Sequence, residues 1–144
     1  MTRLFLDANI VMDLLEKRQP FCEDAALLFA EAYYKRVQLF VSPMTYAIVS
    51  YLLGKNNKAE DVRNLLFNFR QLTHVATSDE QVVDDAIASR FTDFEDALQY
   101  YSALKAKTDF IITRNGKDFV ESKIPVMTAT EYLAMYKSNS NSNN

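Results

Sequence analysis

Two hydrophobic periodicities alternate along this chain. Thr2 to Leu6, Val37 to Val41 and Phe110 to Thr113 are mainly apolar stretches of strand length, and shorter ones cover His74 to Ala76 and Pro125 to Met127. Between them the apolar positions recur at helical spacing. A short helix is predicted from about Asn9 to Leu15, ahead of a break at Pro20, and a second from Glu23 to Lys35 with Leu28, Phe29, Ala32 and Tyr33 on one face. Ser42 and Pro43 open a third, with Ser42 as N-cap, Pro43 in the first turn and Gly54 as the expected stop. Lys58 to Leu72 follows, with Val62, Leu65, Leu66 and Phe69 turned inward. Three capping boxes, Ser78 with Gln81, Thr92 with Glu95 and Thr128 with Glu131, start the last three helices. The middle one is expected to turn Phe94, Leu98, Tyr101 and Leu104 inward, and the last to run from Ala129 to Tyr136.

Strands separated by helices and never by two-residue turns require crossover connections. The predicted fold is therefore α/β, a three-layer α/β/α sandwich around a mainly parallel sheet, formed by one domain over residues 1–137. Residues 138–144 are only Ser and Asn, have nothing to bury, and are expected to be a disordered tail.

Composition narrows the chemistry. The 144 residues are 49% apolar, enough for a single core, yet no apolar run approaches the roughly 18 residues of a membrane span. The start carries no signal-peptide pattern, so a cytoplasmic location is expected. A lone Cys22 and a lone His74 exclude an internal disulfide and any paired-His or Cys/His metal site. Cys22 reads as a small buried hydrophobe and His74 as a strand-edge side chain. A metal would have to sit on carboxylates, which favours Mg²⁺ or Mn²⁺. The net charge of −3 gives no global pull on nucleic acid, and the acids Asp79, Glu80, Asp84 and Asp85 read as a solvated helix face.

Three other acids share a predicted address. Asp7 follows the first strand, Asp96 lies in the first turn of a later helix, and Asp118 lies in the polar turn after the strand at Phe110. The C-terminal edge of a parallel sheet is where ligands bind. Arg114 and Lys117 flank that turn, where they could hold substrate phosphates, and Thr113 and Asn115 could orient Asp7 or metal-bound water by hydrogen bonds.

Phe5-Leu6-Asp7-Ala8-Asn9-Ile10 with Asp13-Leu14-Leu15, Asp93-Phe94-Glu95-Asp96-Ala97-Leu98-Gln99, and Thr113-Arg114-Asn115-Gly116-Lys117-Asp118-Phe119 together resemble the PIN-domain nucleases, within them the VapC-like toxins of toxin–antitoxin pairs. The resemblance extends to about Tyr136. It implies Asp7, Asp96 and Asp118 as catalytic metal-site acids, with Asp93 as a possible outer ligand. It further implies metal-dependent hydrolysis of RNA to a 5′-phosphate and a 3′-hydroxyl, a homodimer, and a cognate antitoxin. One departure stands out: the helix after the second strand reads Ser42-Pro43-Met44-Thr45-Tyr46-Ala47-Ile48, and Ile48 or a neighbour occupies the place of the family's glutamate. Asp93 or Glu95 could compensate, although Glu95 is equally explained by capping. The alternative is a catalytically impaired binding or scaffold module. A haloacid-dehalogenase-like phosphatase would need a second Asp where Asn9 stands, and a phospho-receiver would not have paired helices.

Overall fold

The computed structural model describes residues 1–142. Its five strands, β1 (Thr2–Leu6), β2 (Val37–Val41), β3 (Thr73–Val75), β4 (Phe110–Ile112) and β5 (Val126–Met127), form one all-parallel sheet of order β3-β2-β1-β4-β5. Seven helices connect them: α1 (Ala8–Leu15), α2 (Cys22–Tyr33), α3 (Pro43–Leu53), α4 (Ala59–Gln71), α5 (Glu80–Ala88), α6 (Phe94–Lys105) and α7 (Ala129–Ser142). No helix among the described residues is long and apolar enough to cross a membrane.

Alternation along the central strand distributes the core between two layers. Leu4 and Leu6 face a cluster with Ile10, Leu28, Leu39, Val49, Phe69 and Leu133, contributed by α1, α2, α3, α4 and α7. Phe5, between them, faces Phe40, Tyr100, Ala103, Ile111 and Phe119 on the opposite side. Side chains on both faces of β1 are therefore fully buried, which explains its continuous apolar run. The fold is the expected three-layer sandwich.

The helix ends depart from expectation in instructive ways. Asp79, not Ser78, caps α5, its carboxylate accepting from the Val82 N–H at 3.1 Å, and Ser78 instead shares a hydroxyl hydrogen bond with Ser102. Asp93, not Thr92, caps α6 by accepting from the Asp96 N–H at 3.1 Å. In each case an Asp adjoined the candidate hydroxyl and won the position, as an anionic acceptor at a helix N-terminus should. The Thr128/Glu131 box forms reciprocally, at 3.0 and 3.1 Å. Ser42 caps α3 as expected.

Gly54 does end α3, but with φ −64° it uses none of glycine's freedom. The left-handed positions are filled by lysine: Lys17, Lys35 and Lys107 have φ of 53°, 59° and 55°. Each stands one residue past a helix C-cap. Its N–H and the next reach back to paired carbonyls, Lys107 to Leu104 and Thr108 to Ala103 for example, which is the Schellman arrangement without its usual glycine.

The inward face of α6 also differs. Ala97, Gln99, Tyr100, Ser102 and Ala103 are buried, whereas Phe94 is 50% exposed and Leu104 outward. On α2, Tyr33 is likewise outside, at 67% exposure. Helix α7 continues to Ser142, beyond the expected Tyr136. The expected disordered tail falls partly on Asn143 and Asn144, which lie outside the described residues. His74 lies exposed on the edge strand β3 and stacks on Phe40, and Cys22 is half-buried at the start of α2.

Candidate functional site

Strands β1 and β4 lie side by side, in register from Leu4 with Phe110 to Leu6 with Ile112. Their exits are therefore adjacent. The Asp7 N–H still donates to the Ile112 carbonyl (3.0 Å), so the ladder holds Asp7 at the sheet's edge just as the chain turns into α1. Across from it, the Thr113 hydroxyl donates to the Asp7 carboxylate at 2.8 Å, and accepts from the Asn115 N–H at 3.0 Å. These bonds fix the orientation of one carboxylate from the neighbouring strand's loop.

Asp7 sits in a conflict of forces. Burial raises its pKa, the Thr113 hydroxyl and the Ala8 N–H pull it back down, and the charge of Asp118 pushes it up again. Asp96, at the start of α6, is pushed up to about 7, first by burial and then by the charges of Asp93, Asp7, Asp118 and Glu95. Glu95 is raised for the same reasons, with burial first and then Asp93 and Asp7. Acids from β1, the α6 start and the turn after β4 thus share one field. Arg114 draws the Asp7 pKa down only as the smallest of these influences, and Lys117 and Arg90, which line the same cleft as Asp96 and Asp118, are among the described residues in no ion pair with these acids.

Asp93, Asp96, Lys117 and Asp118 line one cleft of about 370 Å³, with Arg90, Phe91 and Glu121 in its walls. Asp118 belongs to a short 3₁₀ turn, Gly116–Phe119, anchored by buried Phe119. The donor set is oxygen only, which suits a hard divalent cation. Among the described residues, however, no three His, Cys, Asp or Glu side chains stand close enough to hold a metal ion as they are placed.

Arg114 is not in this cleft. Its guanidinium makes a two-point hydrogen-bonded pair with Asp13 (Nε to Oδ2 2.9 Å, a terminal nitrogen to Oδ1 3.0 Å) and covers the Phe21 ring at 4.0 Å from its centroid. Asp13 is 1% exposed. An arginine expected to meet phosphate is thus engaged within the protein, fastening the loop after β4 to α1.

A further polar group lies under the site. Ser42 donates to the Gln99 side-chain carbonyl (2.8 Å), and the Gln99 amide donates to the Thr45 hydroxyl (3.2 Å), all three residues being buried. Gln99 is one turn past Asp96, so the network ties the acid-bearing helix to the start of α3. Sequence reasoning missed it; the only signal available was a glutamine three residues past Asp96, on a helix whose next turn carries the small Ser102 and Ala103. On α3, where Ile48 or a neighbour was expected at the place of the family's glutamate, Ile48 is half-buried.

An all-parallel sheet whose adjacent strand exits gather carboxylates defines an α/β protein with an acidic ligand edge. A family model described as PIN domain matches residues 3–117, so this chain belongs to the PIN-domain family. Several solved structures share its fold. It superposes on a chain of VapBC-1 from nontypeable Haemophilus influenzae with a TM-score of 0.67 at 20% identity, covering 90% of this chain and 99% of that one. For a toxin–antitoxin complex from Klebsiella pneumoniae the values are 0.65 and 23%, covering 88% and 97%. For VapBC2 from Rickettsia felis, bound to a promoter DNA fragment, they are 0.64 and 17%, again covering 88% and 97%. At such identities the likeness is one of fold. No curated protein sequence matches the chain.

Proposed function

We propose that this chain is a divalent-metal-dependent endoribonuclease and the toxin of a toxin–antitoxin pair. The observation that carries the reading is the gathering of Asp93, Asp96 and Asp118 on one cleft, where burial and neighbouring acids push the Asp96 carboxyl up to about 7. Acids that repel one another are relieved by a cation, and among the described residues none of these acids is in an ion pair. Asp7, Asp96 and Asp118 would hold Mg²⁺ or Mn²⁺, with Asp93 as an outer ligand. Bound there, such an ion lowers the pKa of a water and stabilises charge developing on a phosphate.

The chain's own residues do the rest. Thr113 orients Asp7 through its 2.8 Å hydrogen bond, and Asn115 fixes Thr113 through its backbone N–H. Asp93 spends Oδ1 on capping α6, which leaves Oδ2 for an outward role. Lys117, exposed in the cleft, neutralises a substrate phosphate beside the acids. His74 and Cys22 do not line the cleft, which favours attack by water over a covalent intermediate. The toxin assignment draws on the solved relatives, which are VapBC and other toxin–antitoxin complexes. With it come a protein antitoxin as partner, a homodimer and a cytoplasmic location.

A second reading, an inactive PIN-like binding module, is favoured by two observations: no acid anywhere on α3, and the lack of three convergent ligands among the described residues. Thermal unfolding with and without Mn²⁺ separates the two. The nuclease reading expects a clear rise in Tm with Mn²⁺ that disappears in Asp7→Asn and in Asp96→Asn. A wild-type Tm indifferent to Mn²⁺ and Mg²⁺ would hand the case to the binding module.

A further inference from the structure

The acid cleft does not stand alone. A second cavity of about 330 Å³ adjoins it and shares Arg90, Phe91 and Glu121 with it, and its remaining wall carries Tyr100, Tyr101 and Lys123. The charge balance reverses across the shared ridge. Asp93, Asp96, Asp118 and Glu121 outnumber Arg90 and Lys117 in the first cavity, whereas Arg90 and Lys123 outnumber Glu121 in the second.

The ridge is built, not incidental. The Phe91 ring packs on Tyr100, Tyr101 and Phe119 with centroids 5.2, 6.4 and 6.2 Å away. The Lys123 N–H donates to the Tyr100 hydroxyl at 3.0 Å, which ties its loop to α6. Arg90 is the only base between Asp79 and Asp96, a stretch of seven acids, yet among the described residues neither it nor Lys123 is in an ion pair. Two unneutralised cations beside aromatic rings, leading away from a carboxylate centre, form the arrangement that holds a nucleic-acid strand by its phosphates and bases.

We propose that the second cavity seats the nucleotide flanking the cleaved bond of a single-stranded RNA, with Arg90 and Lys123 on its phosphates and Tyr101 against its base. This rests on the nuclease reading above and adds the strand's path and its unpaired state. An unpaired base is required because a base in a duplex has no free face for Tyr101. The path explains how a chain of net charge −3 engages an anionic polymer at an acidic centre: the attraction is local and lies beside the acids.

The test is fluorescence anisotropy of a labelled single-stranded RNA in EDTA, where no cleavage occurs, titrated across salt concentrations. Wild type, Arg90→Ala, Lys123→Ala and Tyr101→Leu are compared, with the matching duplex as competitor. Arg90→Ala and Lys123→Ala should each weaken binding and flatten the slope of log K against log salt by about 0.7. Tyr101→Leu should weaken binding about 5- to 100-fold and leave the slope unchanged. The duplex should compete poorly, and the Mn²⁺-induced rise in Tm should persist in all three variants. Wild-type affinity and slope in both cation variants would overturn the path while leaving the nuclease reading in place. Stronger binding of the duplex would overturn the single-stranded assignment. A wild-type protein that binds no RNA and shows no Mn²⁺ response would remove both.

Discussion

Asp13 and Arg114 stand 101 residues apart and meet as a two-point ion pair with the carboxylate 1% exposed. A buried carboxylate deprived of its partner is costly. Arg114→Ala should therefore lower unfolding stability by roughly 3 kcal/mol in denaturant titrations, and leave the salt dependence of RNA binding as in wild type. A loss below about 1 kcal/mol, or a flattened salt slope, would return Arg114 to the phosphate role that its motif suggested. In the sequence, Asp13 was only one letter of the opening motif, because nothing local marks a partner so distant. Asp96 makes a residue-scale prediction of opposite sign to the usual carboxylate. Its folded pKa of about 7 lies above the ordinary aspartate value of 3.8, so between those values the native state holds a proton that the unfolded chain releases. Its contribution to stability is present below about pH 4 and is lost as pH rises to about 7. The metal-free protein should lose several degrees of Tm between pH 5 and pH 8, and Asp96→Asn should flatten that decline. A wild-type Tm that is level or rising over the same range would contradict the shared field.

The helices show which local rules carried through and which yielded. Ser42 with Pro43, and Thr128 with Glu131, behave as their spacing predicts, because no stronger competitor adjoins them. Ser78 and Thr92 lost their caps to the aspartates next to them, a competition that a spacing rule does not weigh. The inward face of α6 was misread for a different reason. Ala97, Gln99, Tyr100, Ser102 and Ala103 form the buried face while Phe94 and Leu104 stay outside, so the inward stripe lies on a different side of the helix from the one that its apolar spacing suggested. Closing three helices with lysine in the left-handed region costs about 1–2 kcal/mol at each relative to glycine, offset in part by a cation at a helix C-terminus. Lys107→Gly should accordingly raise stability by about 1 kcal/mol and increase Tm. A fall in Tm would mean that the lysine charge outweighs the backbone strain.

At the scale of the whole molecule, the order of strands and helices was enough to imply a parallel sheet with both faces covered, since crossover connections leave little choice. The order β3-β2-β1-β4-β5 sets β1 next to β4, and that single adjacency brings Asp7 to Thr113 and into the field of Asp96 and Asp118. Element order gave the three acids a common address at the sheet's C-terminal edge, but the pairing of β1 with β4 across a hundred residues is what the residues alone could not display. Helix α3 is the point of tension, for it carries no acid where the resemblance leads one to expect a glutamate. The decisive measurement is cleavage of a labelled RNA pool by the purified chain in Mg²⁺ or Mn²⁺, with EDTA, Asp7→Asn and Asp96→Asn as controls. Cutting should require the metal and both acids, and proceed without the family's glutamate. Cutting that survives EDTA or either substitution would contradict the proposed function, as would an absence of cutting in a chain that also fails to bind metal.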